Sequence, residues 1–161
     1  MATSSIPAAI DYLVATARTL AAVGGASPPV PVFDGWPDGR AERALVVGIT
    51  PEDPATDDQV THGQLGAQTQ WEEFTIPCII WARRAGGDAM RLARLDAFAI
   101  LDALDTHLRS ADGRALGGAL KSGTAIAANV VVRQTGSAEE AGDGRVCEIS
   151  FDVVCRSRSA A

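Results

Sequence analysis

Residues 147 to 156, CEISFDVVCR, alternate strictly between apolar and polar positions. Cys147, Ile149, Phe151, Val153 and Cys155 take every second place, with Glu148, Ser150 and Asp152 between them. A period of two puts alternate side chains on opposite faces of a strand, so both sulfurs are expected in the core among the hydrophobes. The same reading of WEEFTIPCIIWA (71–82) gives a strand with Phe74, Ile76, Cys78 and Ile80 on one face. Ile79 and Trp81 make its other face apolar as well. Pro77 has no N–H for a ladder, which points to an edge strand, a bulge or a strand end.

Helical spacing appears twice. Ile6, Ile10, Leu13, Ala17 and Leu20 recur at steps of three and four behind Ser5 and Pro7, and Gly24, Gly25 and SPP stop the pattern. A longer helix follows RRAGGD, with Asp88 as its cap and Leu92, Leu95, Phe98, Leu101, Leu104 and Leu108 as its apolar stripe. VPVFDG (30–35) and ALVVGIT (44–50) are short strands read as neighbours. TAIAANVVVRQ (124–134) and the cysteine strand are joined by a polar turn and form an antiparallel hairpin. The order is α-β-β-β-α-β-β, which predicts one α+β domain over 1–161, with a mainly antiparallel sheet and two main helices packed on one face.

Segment 51–70, PEDPATDDQVTHGQLGAQTQ, has two prolines, four acids and little to bury, and it is long for a connection inside a domain. It reads as a mobile loop that orders on a partner. Asp53, Asp57, Asp58 and His62 lie in it, and their spacing matches neither a calcium loop nor a zinc helix motif. They are taken as solvated residues available to a partner.

Composition narrows the function. With 161 residues, 47% hydrophobic and 21% charged, the chain is in the globular range. Its net charge of −6, and the lack of any basic cluster beyond Arg83–Arg84, argue against sequence-specific nucleic-acid binding. Three cysteines without paired spacing fit a reducing compartment. The first helix lacks a basic leader, and Asp11 and Arg18 interrupt it, so it is expected to belong to the fold and not to an export signal. No run reaches the ~20 apolar residues of a membrane span.

Candidate chemistry is thin. Glu72 and Glu73 fall on opposite faces of one strand and are read as surface charge. His107, near the end of the long helix, is structural, and GRALGGALKS lacks the glycine and strand-to-helix setting of a phosphate loop. No catalytic residue, cofactor or metal site is expected, and the chain is not read as an enzyme. What stands out is tryptophan outside the expected core: Trp36 in a turn, Trp71 at a strand start and Trp81 on the second apolar face. Trp71, Pro77, Ile79 and Trp81 are therefore the expected subunit interface.

The N-terminal helix, VPVFDGWP, WEEFTIPCIIWARRAGG, RLARLDAFAILDALDTHLR and CEISFDVVCR together resemble tail terminator proteins of long-tailed, non-contractile bacteriophages, from about Ile6 to Arg156. The resemblance implies a virion protein of the tail-neck region, assembled in the host bacterial cytoplasm. It further implies a hexameric ring of identical subunits on the tail tube protein, which ends tube polymerisation and offers a surface to the head connector or neck protein. No catalytic residue comes with it. The competing expectations are another neck, head-completion or tail tube protein, and a small-ligand-binding α+β module.

Overall fold

The computed structural model describes residues 4–37, 41–48, 61–62, 69–136 and 144–160. Its elements in chain order are α1 (Ile6–Ala17), β1 (Val32–Asp34), β2 (Arg43–Val47), β3 (Thr61–His62), β4 (Thr69–Ala85), α2 (Ala89–Arg109), the single turn α3 (Ala111–Arg114), β5 (Thr124–Thr135) and β6 (Gly144–Ala160). The sheet order is β1-β2-β4-β6-β5, with β3 pairing to β4. All pairs are antiparallel except β1 with β2. The α+β expectation holds, and 30–35 and 44–50 do contain neighbouring strands.

β4 and β6 form the spine, in unbroken register from Thr69 opposite Ala160 to Ala85 opposite Gly144. Their even-numbered (β4) and odd-numbered (β6) residues make one buried layer: Phe74, Ile76, Cys78, Ile80 and Ala82 against Cys147, Ile149, Phe151, Val153 and Cys155. The alternation seen in the sequence is thus the core face. Both main helices pack on this face, α1 through Ala9, Leu13, Val14 and Ala17, and α2 through Ala93, Ala97, Ile100, Leu104 and Leu108.

The expected stripe of α2 is correct in its second half only. Leu92 and Leu95 are exposed, at 39% and 54%, while Ala89, Ala93 and Ala97 face the sheet. Small side chains let the helix axis approach a layer already filled by Ile80 and Ile149, and the larger leucines are turned out. Asp88 occupies the cap position without capping; its carboxylate accepts from Arg91 instead. The stretch 112–123 is a compact reversal that buries Leu116 and Leu120.

Two further expectations are corrected. Thr61 and His62 pair with Glu73 and Glu72, and β4 starts at Thr69, so parts of the expected 51–70 loop are strand. Asp53, Asp57 and Asp58 lie outside the described residues. Glu72 is not surface charge: it is 6% exposed, on the same face as Phe74 and Ile76. Its carboxylate accepts from the Ser4 hydroxyl and, at 2.8 Å, from the Ser5 N–H, which ties the start of α1 to the sheet. Ser5, at the cap position, has no side-chain capping bond of its own, so Glu72 holds this helix end. Glu73, one residue on, points the other way and meets Arg156 at 3.0 Å.

Candidate functional site

Trp71, Pro77, Ile79 and Trp81 all have odd numbers on β4, and the register places them on the sheet face opposite the helices. Trp81, Ile79, Val46 and Phe33 form a small second cluster there. The Trp81 indole N–H donates to the Ala41 carbonyl at 3.0 Å, so the ring is held within the subunit. Trp71 is 37% exposed, and the Arg156 guanidinium lies over its ring, 4.3 Å from the centroid. Such a stack covers an aromatic face with a cation that also pairs with Glu73.

Pro77 is not on an edge strand, at a bulge or at an end of β4: it sits inside β4, in unbroken register with β6. β4 runs between β2 and β6, and Pro77 stands where the β2 ladder ends: its carbonyl accepts from the Gly48 N–H at 2.7 Å, and it has no N–H to return the bond. The backbone of His62 pairs beside Glu72, on the other part of this side of β4.

The surface that the sequence pattern did not single out lies on β5, an outermost strand. Ile126, Val130, Val131 and Val132 are 58%, 47%, 49% and 40% exposed. A register shift between Ala128 and Val131 sets Asn129 and Val130 together opposite Phe151, with Asn129 at φ +53 and its amide donating to Asp152 at 2.8 Å. This bulge moves the alternation by one residue, so valines emerge on both faces of the strand. Beside β5, a groove of about 380 Å³ is lined by Leu108, Arg109, Arg114 and Ala125 to Ala127.

Titratable groups are arranged to hold the fold. Burial pushes the thiol of Cys78 far above its ordinary value and that of Cys155 up to about 12, and it raises Cys147 too. These thiols stay protonated and unreactive at neutral pH. Tyr12 on α1 joins α2 and α3: its hydroxyl lies 2.8 Å from His107 Nε2 and donates to Asp112. Burial first, and then Asp112, raise the phenol above its ordinary value. A protonated phenol between two partners is a clasp among three helices. Among the described residues, no group of three or more His, Cys, Asp or Glu side chains is placed to hold a metal ion, and no helix is long and apolar enough to cross a membrane.

No family model matches the chain, and no curated protein matches it. Among solved structures, a chain from one described as "Virion of native gene transfer agent (GTA) particle" is similar over 92% of this chain and 92% of that chain, with 20% identical residues and a TM-score of 0.43.

Proposed function

We propose that this chain is a structural subunit of a phage-like virion, and that it acts as a tail terminator. In this reading, copies close into a hexameric ring on the last tail tube ring, stop tube growth and present the surface on which the head connector docks. The face bearing Trp71, Pro77, Ile79 and Trp81 contacts a virion neighbour, and the polar segment with Asp53, Asp57, Asp58 and His62 is assigned to binding the tube or connector. No covalent step is assigned to any residue, and the site of action is the tail-neck region of particles assembled in the bacterial cytoplasm.

The observation that carries this is large apolar side chains left outside the core: Trp36, Leu92, Leu95, Ile126 and Val130 to Val132 are 39% to 64% exposed. They fall on several sides of a small sheet domain. A subunit enclosed by others needs such surfaces; a free monomer loses solubility by them. The test is to remove the chain from the particle that encodes it and measure tails by electron microscopy. Tails that overrun the normal length and carry no heads are expected. Tails of normal length without heads would make it a neck or head-completion protein, and the absence of any tube would make it a tube subunit; either refutes termination.

A further inference from the structure

β5 has one sheet neighbour, β6, and among the described residues its other side is an edge. From Thr124 to Val132 it carries no charge and no proline, the usual means of blunting an exposed edge. The bulge at Asn129 and Val130 interrupts the ladder, so the regular edge beside the groove is Thr124 to Ala128, opposite Arg156 to Asp152. The groove opens between this stretch and the last turn of α2. Leu108 and Ala125, both buried, form its floor, and Thr124, Ile126 and Ala127 form its strand wall. Ala125, Ala127 and Ala128 are too small to fill the gap between strand and helix, which is why a groove is left there. Its rim is basic. Arg109 and Arg114 line it with one acid, Asp105, which Arg109 meets at 2.7 Å. Asp112, close to Arg114 in sequence, is turned instead to Tyr12 of α1. Arg114 makes no ion pair among the described residues, nor does Lys121, exposed three residues before Thr124. Arg109, Arg114 and Lys121 against Asp105 and Asp112 leave a net positive charge at this end of β5, on a chain whose net charge is −6.

We propose that the β5 edge and its groove take an extended segment of a partner protein, apolar and acidic in character, as an added strand. The segment's backbone continues the ladder along Thr124 to Ala128. Its alternate apolar side chains enter the groove over Leu108 and Ala125, and an acidic side chain meets Arg114. Strand addition answers three features at once. Outward-facing N–H and C=O groups of an edge want a backbone partner, the groove lies beside them where side chains of an added strand project, and the unpaired guanidinium wants an anion. A docked helix would answer only the apolar part, because its own backbone groups are already bonded and would leave the edge unpaired. The edge from Thr124 to Ala128, ~17 Å at ~3.3 Å per residue, sets the length of segment that pairs. The site goes beyond the terminator reading and does not depend on it.

The test is fluorescence anisotropy with the purified full chain and a dye-labelled, end-blocked peptide of seven residues. Threonine and valine alternate between two terminal glutamates, so one face of the extended peptide carries both glutamates and both valines. Saturable binding is expected, and about 10-fold weaker binding when lysines replace the glutamates or when the chain carries Arg114→Glu. The lysine peptide should bind Arg114→Glu better than it binds the parent. Arg114 is exposed, so this variant is expected to melt with the parent. Proline placed in turn at each inner position of the peptide should weaken binding at alternate positions, those whose N–H points at β5. Bound peptide should also slow amide hydrogen exchange within Thr124 to Ala128 and not in β1, the outer strand at the other side of the sheet. Absence of binding by the glutamate peptide overturns the proposal. So does equal binding of the glutamate and lysine peptides, or proline tolerated at every position. An oligothymidine that displaces the peptide and binds more tightly overturns it as well, and makes the basic rim a nucleic-acid contact.

Discussion

Replacing Glu72 by Ala tests whether a charged residue in the buried layer positions α1. The carboxylate accepts from the Ser4 hydroxyl and the Ser5 N–H, and its side chain is 6% exposed. Hydrogen bonds to a charged group contribute about 1.5–3 kcal/mol each. Ser4 and Ser5 are only half-buried, so water recovers part of the loss and about 2–4 kcal/mol is expected. At about 2–4 °C per kcal/mol for a chain of this size, the melting point should fall by about 4–16 °C. The control is adjacent: Glu73→Ala removes an ion pair whose partners are each 55% exposed, and such pairs contribute about 0–1 kcal/mol. Urea and thermal unfolding followed by circular dichroism measure both. Glu72→Ala and Glu73→Ala within about 0.5 kcal/mol of each other would refute the reasoning, because the two differ only in the face they occupy.

Alkaline pH should destabilise the chain through its thiols. Cys78 and Cys155 titrate far above their ordinary value of 9.0 when folded, so they keep protons that the unfolded chain has lost. Stability is then full below about pH 9 and falls as pH rises towards the folded values, by about 1.4 kcal/mol per unit for each thiol. Urea midpoints at pH 8 and pH 10 check this, and Cys155→Val should reduce the slope; equal midpoints would contradict it. Gly117→Ala should open the helix clasp, since Gly117 has φ +60 and a Cβ there would stand 2.4 Å from Tyr12 Cε2. Tyr12 is the only tyrosine, so ultraviolet titration reads it alone, and its pKa should return towards 10.0. An unchanged titration would mean that the ring does not move.

The sequence was legible where one rule acted alone. In CEISFDVVCR, period and polarity agree, and all three cysteines are buried at 1% or less. In α2 two rules competed: leucine is the more hydrophobic residue, but closeness to the sheet selected Ala89, Ala93 and Ala97, on the side of the helical wheel opposite Leu95. Glu72 could have been found, because it shares even numbering with Phe74, Ile76, Cys78 and Ile80; the general rule that charge is exposed obscured it. β3 is two residues long and has no pattern to read. The exposure of β5 was hidden for a different reason. Val130, Val131 and Val132 look like core in a list of residues, and only the lateral order of strands makes β5 an outer one.

That order also decides how far the helix-free face can serve as a contact. β6 runs between β4 and β5, and on this face it presents Glu148, Ser150 and Asp152, opposite Trp81, Ile79 and Pro77. This polar strip separates the Trp81 cluster from Ile126 and Val131 on β5, so the face is not one apolar surface. A partner lying flat across it would have to desolvate the strip's carboxylates, of which Asp152 already accepts from Asn129. A partner at the flank meets Ile126, Val130, Val131 and Val132 without crossing the strip. The same alternation that buries Cys147 to Cys155 therefore makes the back of the sheet a polar-centred surface and leaves the exposed apolar side chains of β5 at its edge.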